Sequence, residues 1–265
     1  MSFEHFVREG MFVRRSGAID GAREWVVWIH GLGESGLGFE EVVKLPILAP
    51  YCHLIPDLAS YGRSAWSKEP LTLTEQADRL ASWLTSLGRP VVLAGHSMGG
   101  VIATLLGERH PQKLRAMLNI DGNQSFGDCA FSRRAEPSTL EQFLRDGFAR
   151  MLDIVWKGGG ESRPLRGYYA SMRFCDPRAF HLNSRELVQL SREERLARRM
   201  KALSLPMLYV AGSPGGAAPR SHELLHEAGV PVATVEPSGH WPFIDQPEKF
   251  ANLVARFLED LPQPT

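Results

Sequence analysis

Three cysteines in 265 residues, Cys52, Cys129 and Cys175, are an odd number and widely spaced. A disulfide framework or a zinc site is not expected, and a reducing cytoplasmic location is the simplest home. No charge sign is in excess: thirty Lys and Arg balance thirty Asp and Glu. No global field therefore directs the chain to nucleic acid or to a membrane surface. Long hydrophobic runs are missing too. None approaches the ~18 apolar residues of a membrane span, and the opening MSFEHFVREG lacks the apolar core of a signal peptide. The absence that matters most is local. YVAGSPGGAAPRS, residues 209–221, reads as a strand running into a loop and holds no Asp or Glu.

The composition that is present, 43% hydrophobic and 23% charged, is that of a globular chain large enough to bury a core. Residues 3–7 and 11–14 read as a hairpin around Gly10. WVVWIH, YCHLIPD, PVVLAGHS and LRAMLNIDG are apolar runs of the kind buried on both faces of a sheet. LPMLYVAG and VPVATVEP complete the strands. Between them the periodicity is helical: a stretch near 39–48, residues 72–87 with a Thr72/Glu75 capping box, the small-residue run after Ser97, and a last helix over about 247–261. Strands alternating with helices predict an α/β fold, a mostly parallel, doubly wound sheet covered on both faces.

One segment breaks the alternation. Residues 127–201 carry helix-like polar sequence with fifteen Arg and Lys against ten Asp and Glu. It reads as a helical insertion, leaving 1–126 and 202–265 as the core. Its basic excess suits a solvated surface, or an anionic substrate or acidic carrier.

GHSMGG, residues 95–100, lies between a buried strand and a small-residue helix. Gly95-His96-Ser97-Met98-Gly99 fits G-x-S-x-G in the context that gives the motif its meaning. A sharp turn exposes the serine Oγ, glycines at both flanks avoid collision, and the Met98 amide points at the reacting carbonyl. A turn in which Ser97 merely caps the helix does not need both glycines.

With these residues the chain resembles the α/β-hydrolase fold superfamily over nearly its whole length. HGLG at 30–33 resembles the superfamily's oxyanion loop, PDLASYGRS at 56–64 the segment after the next strand, and SGHWPFIDQPEKF at 238–250 the C-terminal histidine loop. The insertion resembles the helical cap. The resemblance implies the Leu32 amide as second oxyanion donor, His240 as the base that takes the Ser97 proton, and His30 as a brace for the loop. His96 is expected to pack or bond locally. Asp57 and Arg63 are expected to fix loop geometry.

The usual acid position in that superfamily falls in the loop without carboxylates. Asp121, ending the previous strand at the carboxyl edge of the sheet, is the candidate acid; some branches place it there, and sites assemble at that edge. Asp121 as a plain turn residue, Asp245 as the acid, and a dyad with no acid stay open. Trp66, Phe126, Trp156, Tyr168, Tyr169, Met172 and Trp241 are candidates for an apolar acyl pocket. No metal cluster or nucleotide loop stands out, so no cofactor is expected. The expected function is a serine hydrolase acting on an ester or related acyl bond of a small molecule. Thioesterase, lactonase, amidase, carbon–carbon bond hydrolase and perhydrolase chemistry stay open, as does a ligand-binding protein with weak or single turnover.

Overall fold

The computed structural model describes residues 3–262. Eight strands form one sheet: β1 (Glu4–Arg8), β2 (Met11–Ser16), β3 (Trp25–Ile29), β4 (Cys52–Pro56), β5 (Val91–His96), β6 (Leu114–Ile120), β7 (Met207–Gly215) and β8 (Val232–Gly239). Their order is β1-β2-β4-β3-β5-β6-β7-β8. β1 and β2 are a hairpin joined antiparallel to β4, and β3 to β8 run parallel. This is the α/β-hydrolase fold.

Alternation along the central strands divides the core. Val27 and Ile29 join one apolar cluster and Val26 and Trp28 the other, because successive side chains leave opposite faces of a strand. The first cluster packs under α1 (Leu73–Thr85) and α2 (Met98–Arg109); the second packs under the C-terminal helix, through Phe250, Val254 and Leu258. Both faces are thereby closed. At the start of α1, Thr72 Oγ1 accepts the Glu75 amide and the Glu75 carboxylate accepts the Thr72 amide, the reciprocal cap read from the sequence.

The helix expected near 39–48 is instead three short 3₁₀ turns, Gly36–Phe39, Val42–Lys44 and Pro46–Leu48. Pro46 forces Leu45 into an extended conformation (φ −63°, ψ 137°), which interrupts helical propagation. β7 and β8 run further than expected. Beyond a register shift at Gly212, Pro214 pairs with Ser238 and Gly215 with Gly239. Much of the acid-free stretch is therefore ladder rather than loop.

Between β6 and β7 the described chain is helical, with α3 (Phe148–Gly158), α4 (Arg163–Met172), α5 (Pro177–Arg192) and α6 (Leu196–Lys201) as its longer elements. Many of its basic residues meet carboxylates, as in Arg192–Glu136 and Arg199–Glu108. Cys52, Cys129 and Cys175 are buried free thiols. Among the described residues no helix is long and apolar enough to cross a membrane.

Candidate active site

β3 lies between β4 and β5, so the chain leaves β3 to one side and later returns on the other. Loops after β3 and β5 therefore meet at the carboxyl edge, where open α/β sheets form their crevice. The elements that follow β3, β5, β6, β7 and β8 supply the site.

After β5, Ser97 sits at φ 52°, ψ −118°, a region disfavoured for residues with a side chain. Surroundings fix this geometry. A Cβ on Gly95 would come 2.3 Å from the Gly99 carbonyl oxygen, and one on Gly99 2.3 Å from that of Ile29. Ser97 N donates to Ile120 O at 2.9 Å, which ties the turn to β6. Met98 opens α2, and first-turn amides have no acceptor within their own helix.

After β3 the chain turns at Gly31–Glu34, closed by Glu34 N donating to Gly31 O at 3.2 Å. Leu32 and Gly33 are the corner residues, so the turn does not use their amides; Gly33 adopts φ +72°. His30 braces this turn as expected. Leu58 N donates to His30 Nε2 at 3.0 Å, which leaves the proton on Nδ1, 2.9 Å from Gly31 O. Asp57 fixes the adjoining loop: its carboxylate pairs with Arg14 at 2.6 Å and accepts the amides of Gly36 and Arg63.

His240 follows β8. Gly239 N, just before it, donates to Asp245 Oδ2 at 2.8 Å, so Asp245 holds the backbone of the histidine loop. Burial and then the neighbouring His96 charge push the His240 imidazole down to about 3, against a smaller upward pull from Glu34. It is neutral at neutral pH and able to accept a proton.

Asp121 is buried, at φ +45°, at the end of β6. Its Oδ2 accepts Gly212 N at 3.0 Å and its Oδ1 accepts Ala217 N at 2.9 Å. Among the described residues no carboxylate is hydrogen-bonded to the His240 ring. Burial raises the Asp121 carboxyl to about 7 even against those two amide bonds.

Glu34 has no place in the sequence reading, although a carboxylate among the glycines of HGLGESG was its visible signal. Its Oε2 accepts Gly31 N at 2.8 Å and His96 Nδ1 at 2.9 Å, and its Oε1 accepts Trp241 Nε1 at 2.7 Å. His96, expected to bond locally, links distant segments: its Nε2 donates to His240 O at 2.8 Å.

Leu32, Ser97, Tyr168, His240 and Trp241 line one cavity of about 410 Å³, together with residues of the helical stretch such as Phe131 and Leu165. The other aromatic candidates do not line it. Trp156 packs at a tilt against Tyr169 (5.1 Å between ring centroids, 51° between planes) beside a separate depression, because α3 turns Met151 and Val155, not Trp156, to the interior. Trp66 is 55% exposed. Phe126 lies under the Arg192 guanidinium, next to the cavity-lining Gly127. Met172 is fully buried against Gly33. Among the described residues no cluster of His, Cys, Asp and Glu is arranged to hold a metal ion.

Residues 26–253 match the alpha/beta hydrolase family. The chain belongs to that family. This α/β-hydrolase is 26% identical over 244 residues to a pimeloyl-[acyl-carrier protein] methyl ester esterase of Edwardsiella ictaluri (strain 93-146), covering 88% of this chain and 93% of that protein. It is 27% identical over 253 residues to a 2-succinyl-6-hydroxy-2,4-cyclohexadiene-1-carboxylate synthase of Yersinia enterocolitica, covering 88% and 86%. Its fold is shared with the enol-lactonase from Burkholderia xenovorans LB400, at a TM-score of 0.79 and 18% identity over 97% of this chain and 100% of that one.

Proposed function

We propose that this α/β-hydrolase is a serine hydrolase that cleaves a carboxylic ester or closely related acyl bond through an acyl-enzyme. The observation that carries this is Ser97: a strained φ 52° elbow, locked by Gly95 and Gly99, at a cavity shared with His240 and Leu32. Ser97 Oγ attacks the carbonyl while His240 takes its proton. The Leu32 and Met98 amides receive the oxyanion, and His240 then returns the proton to the leaving group. Water, deprotonated by His240, releases the acyl group and restores Ser97.

Asp121 is the acid in this reading. A carboxylate has about four lone-pair sites, so the Gly212 and Ala217 amides orient it and leave capacity for the Nδ1–H of His240. Similarity to proteins named esterase and lactonase supports an ester-type substrate. A cavity of about 410 Å³ suits a small-molecule acyl group. The helices of 127–201 serve as the cap, with Phe131, Leu165 and Tyr168 facing the acyl group.

A ligand-binding protein with weak turnover is the second reading. It is favoured by one observation, that the Asp121 oxygens bond to the Gly212 and Ala217 amides rather than to His240. Steady-state hydrolysis of p-nitrophenyl acetate, butyrate and octanoate by the wild type and Ser97→Ala separates the two. The hydrolase gives sustained turnover that Ser97→Ala abolishes; turnover that survives in Ser97→Ala, or that stops after one equivalent, sinks it.

A further inference from the structure

Acyl transfer by Ser97 and His240 gives Glu34 nothing to do, yet its buried carboxylate stands in the oxyanion turn. A Cβ on Gly31 would lie 3.0 Å from both Glu34 Cδ and Ser97 Cβ, so carboxylate and nucleophile flank the same α-carbon. Unpaired, such a charge would oppose the oxyanion that the neighbouring amides collect.

The contacts of His96 show how it is paired. Both ring nitrogens face acceptors: Nδ1 meets Glu34 Oε2 at 2.9 Å, and Nε2 meets the His240 carbonyl oxygen at 2.8 Å. A neutral imidazole has only one N–H and would set a lone pair against one of these oxygens. An imidazolium satisfies both. We propose that Glu34 and His96 are a buried ion pair that positions the base, fastening the histidine loop to the nucleophile elbow and the oxyanion turn.

One carboxylate then joins three loops. It holds the oxyanion turn through Gly31 N, the elbow through His96, and the histidine loop through Trp241 Nε1. His96 completes the triangle at the His240 carbonyl, with its ring 4.6 Å from the His240 ring between centroids. The pair is neutral overall, so the oxyanion does not face a bare negative charge. The ionisable groups around His96 agree with this. Burial lowers His96, but the Glu34 charge and hydrogen bond, with the His240 carbonyl and the Asp121 charge, raise it overall. Burial likewise pushes Glu34 up, and His96, Gly31 and Trp241 outweigh it to bring Glu34 to about 2.

Glu34 and His96 are positioning residues, and their role rests on the reading of Ser97 and His240 as the reacting pair. The test has one readout that does not need turnover. In ¹⁵N-histidine-labelled wild type at pH 7, His96, assigned by its loss in His96→Asn, shows both ring nitrogens protonated. A singly protonated His96 overturns the proposal. Glu34→Gln turns His96 into a neutral ring and lowers kcat on p-nitrophenyl butyrate by about 10- to 100-fold, with KM changed less than about threefold. Glu34→Gln/His96→Asn loses no more than the worse single variant, as coupled neighbours do; losses that multiply count against the pair. An imidazolium signature in a wild type that hydrolyses nothing upholds the pair and sinks the hydrolase reading instead.

Discussion

Asp121 Oδ1 accepts the amide hydrogen of Ala217 at 2.9 Å, so a carboxylate from the end of β6 fills the loop that has none of its own. The neighbouring bond from Gly212 N to Oδ2 makes the arrangement bidentate. The acid-free stretch of the sequence is the cradle for a carboxylate supplied from the neighbouring strand β6.

If that carboxylate is the acid of the reaction, Asp121→Asn lowers kcat on p-nitrophenyl butyrate by roughly 10²- to 10⁴-fold, the upper figure being that of a well-studied triad. Asp245→Asn keeps kcat within about tenfold, because Asp245 bonds to Gly239 N rather than to the ring. It instead lowers stability by about 1 kcal/mol, because the half-buried Gly239 amide exchanges a charged acceptor for a neutral one. Steady-state kinetics and thermal melts of both variants check this; the reverse pattern reassigns the acid.

The base predicts an unusual acid limb. His240 works when neutral, and burial followed by the His96 charge pushes it down to about 3. On its own His240 would place the fall in kcat/KM on acidification well below the ~6.5 of an ordinary histidine, so a limb near 7 is the loss of the Asp121 carboxylate. A kcat/KM profile from pH 4 to 9, with unfolding monitored in parallel, reads this directly. A limb that stays at about 6.5 in the residual activity of Asp121→Asn contradicts it.

Asp121 also couples pH to stability. Its folded carboxyl is raised to about 7, against ~3.9 when unfolded. Below about pH 4 both states carry the proton. Between roughly pH 4 and 7 the folded state keeps a proton that the unfolded chain releases, so stability declines as pH rises through that window. Glu34 acts with the opposite sign and in another range. Lowered to about 2, it withdraws its stabilisation as pH falls from about 4.5 towards 2. Urea melts from pH 4 to 8 show the Asp121 slope as the difference between wild type and Asp121→Asn; parallel curves count against it.

Gly216 has a strict spatial requirement. A Cβ there would lie 2.3 Å from Gly212 O and 2.6 and 2.8 Å from the Asp121 oxygens. Gly216→Ala must displace the loop or the carboxylate, at a cost of about 1–3 kcal/mol by analogy with overpacked interiors. Activity falls in step with Asp121→Asn, whereas Gly229→Ala, which meets nothing within 4 Å, leaves activity unchanged and tests only its left-handed backbone. Kinetics and melting temperatures of both variants decide.

Much of this architecture is written locally. WVVWI and VVLAGH are buried along nearly their whole length because parallel strands covered on both faces need continuous apolar sequence. Thr72 and Glu75 announce the start of α1 by their side-chain chemistry. The elbow is legible because a turn that tight collides with any side chain at Gly95 or Gly99. What the sequence concealed depends on distant partners. Nothing local distinguishes Glu34 from a solvated loop carboxylate until His96 and Trp241 arrive from 62 and 207 positions away. The aromatic residues misled for a related reason. Trp156 and Tyr168 are both large aromatics, and only the packing of α3 and α4 sends one to the surface and the other to the cavity.

Labelling with a fluorophosphonate probe, followed by peptide mass spectrometry, decides whether Ser97 is the nucleophile. One modified residue is expected, Ser97, with labelling abolished in Ser97→Ala and strongly slowed in a folded His240→Ala variant. Modification at another residue, or undiminished labelling of Ser97→Ala, contradicts that role.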